Sequence, residues 1–120
     1  MVTSKYFNEK EFNMCIPSCS LQDMKQCTMS KLDTAREIAG IPFVLNSAYR
    51  SSQWDKSKGR SGTGAHTLGR AVDIRCNTNS NRYKVIDALL KAGFKRIGVA
   101  SSFIHADDSD THTQQIIWMY

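Results

Sequence analysis

The chain has 120 residues, of which 41% are hydrophobic, and it carries a net charge of +5. This length predicts one domain, residues 1–120, which can bury roughly two-thirds of its unfolded surface. No apolar run is long enough to span a membrane. Residues 1–10 lack the hydrophobic segment of a signal peptide, so we expect synthesis in a cytoplasm.

The charge is unevenly distributed along the chain. Residues 1–49 are neutral, residues 50–96 carry +8 from 11 basic and 3 acidic residues, and residues 97–120 carry −3. A basic middle segment can attract an anionic polymer such as cell-wall glycan or nucleic acid, or it can simply be solvated. No nucleic-acid-binding motif accompanies the charge, which disfavours a nucleic-acid partner.

The cysteines do not predict a second metal site. Cys15, Cys19 and Cys27 lack the Cys-x2-Cys spacing of zinc ribbons, and Cys76 lies far from them. A cytoplasmic protein keeps such thiols reduced, so free thiols are favoured over disulfides.

The first half of the chain predicts one helix and one strand. Residues 1–18 predict an extended lead-in. Ser20 is a good N-cap, and Asp23 can bond back to it in a capping box. Apolar residues then recur at helical spacing until Gly40, which ends the helix. The following run, residues 43–49, predicts a strand.

The second half predicts a loop at residues 51–65 and a second helix. Ser80 or Asn81 caps this helix, and Gly93 ends it. Its predicted buried stripe comprises Tyr83, Ile86, Leu89 and Leu90.

Strands dominate the rest of the chain. Residues 96–100 and 103–107 predict a hairpin joined at Ser101 and Ser102, and residues 115–120 predict a closing strand. The predicted fold is therefore α+β, with two main helices packed against a small antiparallel sheet.

A candidate metal site begins in the glycine-rich segment that leads to His66. The next apolar run, residues 71–74, is interrupted only by Asp73. A carboxylate in a buried strand is costly unless a cation or hydrogen-bond donors meet it. Gly69 can turn the chain so that the imidazole returns over the strand end. Imidazole and carboxylate suit zinc, although a surface histidine and a salt-bridged aspartate fit the same pattern.

The strand at residues 103–107 adds a second histidine. Side chains alternate between the faces of a strand, so His105 and Asp107 point the same way. Two histidines and one aspartate leave the fourth position of a tetrahedral zinc open, as in catalytic sites. Asp107, which is not needed as a ligand, is then predicted to act as general base.

Arg50 follows the strand predicted at residues 43–49. A guanidinium at that position can hold a carboxylate or a tetrahedral oxyanion with two parallel hydrogen bonds. The structural alternatives are an arginine that caps the strand end or one that pairs with Asp55.

These motifs resemble those of the M15 peptidases, which are zinc D,D-carboxypeptidases and L-alanyl-D-glutamate endopeptidases of bacterial cell walls, including phage endolysins. The similarity rests on Ser47-Ala48-Tyr49-Arg50-Ser51, on His66-x6-Asp73 and on Phe103-Ile104-His105-Ala106-Asp107, in that order along the chain. It covers roughly residues 7–120 and implies the fold that these peptidases share with the hedgehog signalling domain.

The resemblance implies zinc bound by His66, Asp73 and His105, and Arg50 beside the scissile bond of a peptidoglycan peptide. Many M15 members carry a serine two residues before the first histidine. Here that position is Gly64, and Ser61 and Thr63 nearby are the predicted substrate-binding alternatives.

Better-known M15 members place the acidic base three residues before the last histidine, where this chain has Ser102. The base is therefore assigned to Asp107, as in a small phage and bacterial subgroup. We expect a monomer that acts at the cell wall after release or in a virion. The alternative is a zinc-binding interaction module of the same fold without catalysis.

Overall fold

The computed structural model describes residues 1–120. The helices are α1 (Glu9–Asn13), α2 (Gln26–Ala39), α3 (Ser52–Ser57) and α4 (Asn79–Ala92), with short 3-10 helices at Leu21–Asp23 and Ala65–Leu68. The strands are β1 (Leu45–Ser47), β2 (Ala71–Arg75), β3 (Arg96–Val99), β4 (Phe103–Asp107) and β5 (Ile116–Met119). None of the helices has the length and apolar character needed to cross a bilayer.

The five strands form one sheet in the order β1-β2-β4-β3-β5. The α+β class is confirmed, but the sheet is not wholly antiparallel, because β5 pairs parallel to β3. β4 ends at Asp107, which lies opposite Arg96 at the start of β3. The loop after β4 stays at that end of the sheet and delivers Ile116 beside Arg96, so β5 must run in the same direction as β3.

The two faces of the sheet have different chemistry, because side chains alternate along each strand. One face is apolar: Val72, Ile97 and Ile104 are fully buried in a cluster shared with Leu32 of α2 and Leu89 of α4. α2 and α4 also pack on each other. The core therefore lies between the two long helices and this face.

The opposite face carries a polar row that crosses all five strands. The register places its members side by side: Ser47, Asp73, His105, Gly98 and Trp118. The row explains why a carboxylate interrupts the apolar sequence of β2, since Val72 and Ile74 face the core while Asp73 faces away from it.

Two predicted coil segments contain short helices. Glu9–Asn13 in the lead-in is helical, with a capping box formed by Asn8 and Glu11. In the predicted loop at residues 51–65, Ser51 accepts a hydrogen bond from the Trp54 N–H and caps α3. Both helices are too short for an apolar period to show in the sequence.

The two long helices begin at other residues than predicted. The capping box of Ser20 and Asp23 forms, but it caps Leu21–Asp23, and α2 starts at Gln26. Thr78, not Ser80 or Asn81, caps α4.

The earlier start of α4 is accompanied by a different buried stripe from the predicted one. Val85, Ala88 and Leu89 are buried, whereas the side chains of Tyr83 and Leu90 are 75% and 46% exposed. The spacing of the buried set is that of one helix face. The prediction was wrong for Tyr83 and Leu90.

Candidate metal centre

The chain brings His66 to the sheet through a tight turn. The 3-10 helix Ala65–Leu68 carries His66 and ends at Gly69, whose φ is 72°. A Cβ at Gly69 would lie 2.3 Å from the Asp23 carbonyl oxygen, so this position requires glycine both for its dihedral angles and for its close packing. The turn places the buried imidazole of His66 over β2.

Asp73 and His105 reach the same point from neighbouring strands. They are register partners in β2 and β4, and both are buried. His105 Nδ1 lies 3.0 Å and His66 Nε2 lies 3.3 Å from Asp73 Oδ1. One ligand atom from each of the three residues lies within 4.8 Å of the others. The structure therefore brings the three predicted zinc ligands together.

Each imidazole ring forms a hydrogen bond on the side away from Asp73. These bonds show which ring nitrogen presents its lone pair to Asp73. The Ala48 carbonyl oxygen lies 2.6 Å from His66 Nδ1, and it can only accept, so Nδ1 donates. Asp107 Oδ2 lies 2.7 Å from His105 Nε2 and likewise accepts. In the neutral rings, His66 Nε2 and His105 Nδ1 then both present lone pairs towards a carboxylate.

Such an arrangement is repulsive unless positive charge lies between the three groups, either as a proton on a ring nitrogen, which then donates to Asp73, or as a metal ion. Two imidazole nitrogens and one carboxylate oxygen form a donor set that zinc favours, with a fourth position left for water or substrate. The residues present therefore fit a catalytic rather than a closed structural zinc site.

The pKa values of the acidic groups reflect this crowding of charge. Burial alone would raise the pKa of Asp73, but hydrogen bonds from His105 and His66 outweigh it and hold the pKa well below its usual range. Burial is likewise outweighed at Asp107, whose pKa is lowered by His105 and Arg96. Both carboxylates are therefore ionised at neutral pH.

Arg50 contacts Asp73, the third candidate ligand, through the carboxylate oxygen that does not face the histidines. Its Nη2 donates to Asp73 Oδ2 at 3.2 Å, and its Nε donates to Ser47 Oγ at 3.1 Å. Arg50 does not pair with Asp55, which contacts Arg60 at 3.6 Å instead. Each of the three ligands thus has an orienting partner: the Ala48 carbonyl for His66, Arg50 for Asp73 and Asp107 for His105.

A model of the peptidase M15 family matches residues 5–107. The chain belongs to the peptidase M15 family. No curated protein matches it. M15 peptidases are zinc enzymes, so membership points to a metallopeptidase and agrees with the donor set formed by His66, Asp73 and His105.

Two predicted substrate-binding residues of this M15 chain lie outside the cluster. Ser61 Oγ and Thr63 Oγ1 are 2.8 Å apart and exposed, and neither forms a hydrogen bond with a ligand or with Arg50. The hydroxyls hold the glycine-rich loop in shape by bonding to each other. Their contact with substrate stays a prediction.

The structure adds site residues that sequence reasoning missed. Arg96 Nε donates to Asp107 Oδ1 at 2.8 Å, and the Trp118 ring lies 5.3 Å from the His105 ring. The predicted hairpin contained a signal for Arg96, since counting back from its turn places Arg96 opposite Asp107. No comparable signal identified the Ala48 carbonyl as the partner of His66.

Proposed function

We propose that the protein is a zinc peptidase that hydrolyses peptide bonds in bacterial peptidoglycan, as a D,D-carboxypeptidase or an L-alanyl-D-glutamate endopeptidase. The observation that carries the proposal is the convergence of His66 Nε2, Asp73 Oδ1 and His105 Nδ1, each held from behind by a hydrogen-bonding partner. Membership of the M15 family supports the reaction class.

Zinc held by these residues would supply Lewis acidity that polarises a carbonyl oxygen and makes water more acidic. Arg50 supports the same chemistry from the protein side. Its Nε and Nη2 are bonded to Ser47 and Asp73, whereas Nη1 has no protein partner. We propose that Nη1 donates to the oxygen on which negative charge develops during attack.

The predicted role of Asp107 as general base has little support in this geometry. Both of its oxygens already accept hydrogen bonds, and the residue is only 1% exposed. Asp107 also lies against His105 Nε2, the ring nitrogen that faces away from Asp73. We therefore propose an orienting role for Asp107.

The charge around Arg50 supports an acidic peptide as substrate. Arg50, Lys58 and Arg60 lie 5.8, 5.4 and 5.7 Å from the ring centroid of Trp54. These cations create a positive potential next to the proposed site, which favours peptides with free carboxylates. Because the stem peptides of peptidoglycan carry free carboxylates, this charge is consistent with the proposed substrate, and we propose that the enzyme acts at the cell wall after release from the cytoplasm or within a virion.

Hydrolysis of purified muropeptides tests the function. The zinc-loaded protein is incubated with cross-linked and linear muropeptides, and the products are weighed by mass spectrometry. Loss of one alanine from the carboxyl end of the peptide indicates carboxypeptidase activity, and separation of muramoyl-L-alanine from the D-glutamyl peptide indicates endopeptidase activity. If zinc is bound and no muropeptide is cleaved, the non-catalytic zinc-binding module is the better interpretation.

A thermal melt tests the metal site separately from activity. Because the three ligands come from distant segments, zinc should stabilise the folded state by several kcal/mol at saturating metal. A metal-free preparation that melts at the same temperature with and without added zinc would refute the ligand assignment.

A further inference from the structure

We propose that Asp107 and Arg96 are positioning residues that fix the tautomer and orientation of His105 for metal binding. This inference rests on the proposed metal site but not on the peptidase reaction, and the two are tested by different measurements. It replaces the general-base role predicted for Asp107 and gives Arg96 a function.

Asp107 accepts hydrogen bonds from three donors. Oδ2 accepts from His105 Nε2 at 2.7 Å, while Oδ1 accepts from Arg96 Nε at 2.8 Å and from the Ser109 N–H at 3.2 Å. Charge-assisted bonds of this length are strong, and they hold the carboxylate in one orientation. These three bonds occupy most of the acceptor positions of the carboxylate, and its 1% exposure leaves little access for a nucleophile to the remaining one.

Arg96 is held as firmly as the carboxylate that it contacts. Besides the bond to Asp107, its Nη1 donates to the Thr113 carbonyl oxygen at 2.6 Å, and its guanidinium lies 5.2 Å from the Trp118 ring centroid. The antiparallel register places Arg96 directly opposite Asp107. The guanidinium thus connects β4 to the loop before β5 and keeps Asp107 from rotating.

The hydrogen bond to Asp107 determines which ring nitrogen of His105 carries the proton, and therefore which nitrogen is free to bind the metal. With Asp107 as acceptor, the neutral ring keeps its proton on Nε2 and offers the lone pair of Nδ1 to the metal. The ring position is fixed further by His66 and Trp118, whose ring centroids lie 5.0 and 5.3 Å away. Acidic partners of this kind typically contribute 10–100-fold to metal affinity.

An asparagine at position 107 cannot reproduce this arrangement. It offers one acceptor oxygen where the native carboxylate offers two, so either His105 or the Arg96 side faces an NH2 donor. If the NH2 faces His105, the ring must accept at Nε2 and move its proton to Nδ1, which blocks the metal. If the NH2 group faces Arg96, two hydrogen-bond donors, the amide and the guanidinium, point at each other.

The test is zinc affinity, measured for the full chain by competition with a chromogenic chelator. We expect Asp107→Asn to weaken zinc binding about 10–100-fold. Arg96→Lys keeps the charge but loses the paired contacts, so it should weaken binding by a smaller factor. Asp108→Asn is the matched control, because the Asp108 side chain is also only 2% exposed but bonds to Thr28 and Lys31 and not to a ligand.

Activity at saturating zinc provides a second readout. A positioning role predicts that Asp107→Asn regains most of its turnover once zinc is saturating, whereas loss of a general base costs about 10²–10⁴-fold even with zinc bound. Wild-type zinc affinity in Asp107→Asn, or an equal loss in Asp108→Asn, would overturn the proposal. If Asp107→Asn does not fold, Arg96→Lys decides, and unchanged zinc affinity there would equally overturn it.

Discussion

Two aspartate–arginine pairs flank the candidate metal centre, and they differ in whether the arginine contacts a proposed ligand directly. Arg50 donates to Asp73, which is itself a proposed ligand, and it keeps Nη1 without a protein partner. Arg96 donates to Asp107, which lies behind His105, and its Nη1 is bonded to the Thr113 carbonyl. We therefore propose that the same residue types serve two purposes, with Arg50 placed beside a ligand to contact substrate and Arg96 placed behind His105 to support a ligand.

We expect the largest effect from a change of Asp73, the proposed zinc ligand that Arg50 contacts. Asp73→Asn removes the anionic ligand and the charged partner of Arg50, so zinc and activity should be lost together. A catalytic metal supplies several kcal/mol of transition-state stabilisation, which predicts a fall in kcat/KM of at least about 10³-fold.

Zinc content by atomic absorption and hydrolysis of a muropeptide measure the two losses. Asp55→Asn is the control, since Asp55 is a buried carboxylate that contacts Arg60 rather than a ligand. An Asp73→Asn variant with full zinc and full activity would contradict the site assignment.

Arg50→Lys isolates the catalytic member of the comparison. Lysine keeps the positive charge near Asp73 but lacks the planar fork that contacts Ser47, Asp73 and the substrate oxygen at once. We expect kcat to fall by roughly 10²-fold or more while zinc stays bound.

Steady-state kinetics at saturating zinc tests this, with Arg60→Lys as the control, because Arg60 also lies over Trp54 but contacts no ligand. Turnover of Arg50→Lys equal to that of the wild type would remove Arg50 from the site.

Gly98→Ala tests the surroundings of the Arg96–Asp107 pair, and we expect a smaller effect from it than from the two preceding substitutions. A Cβ at Gly98 would lie 2.7 Å from Trp118 ring atoms, so the indole that covers Arg96 and contacts His105 must move. Overpacking of this kind costs about 1–3 kcal/mol of stability. We expect a lower melting temperature and a modest loss of zinc affinity.

Gly64→Ala is the matched control for that substitution, because its Cβ would meet no atom within 4 Å. If both variants melt like the wild type, Trp118 does not pack as described and contributes nothing to the position of His105.

The sequence predicted the metal-centre residues better than it predicted their partners. Alternation along β4 placed His105 and Asp107 on one face, and the register of β2 and β4 then brings Asp73 beside His105. Strand order is a long-range property that no local pattern encodes, so the row across the sheet could not be predicted. The parallel direction of β5 could not be predicted for the same reason, since it depends on where β4 ends in the sheet.

The role of Asp107 shows a second limit. Its position on the face of His105 was correct, but spacing does not reveal which ring nitrogen of a histidine faces the metal. In our proposal that choice depends on Arg96 and Ser109, which donate hydrogen bonds to the carboxylate behind the ring. Similarly, the Ala48 carbonyl orients His66 from a backbone position that has no side-chain signature.

The most direct test of this account is a side-by-side measurement of zinc dissociation constant and kcat at saturating zinc in Arg50→Lys and Arg96→Lys. We predict opposite patterns. Arg50→Lys should keep zinc affinity within a few-fold of wild type and lose about 10²-fold in kcat, whereas Arg96→Lys should bind zinc more weakly and recover most of its kcat. The same pattern of losses in both variants would contradict the division between a substrate-facing and a ligand-supporting arginine.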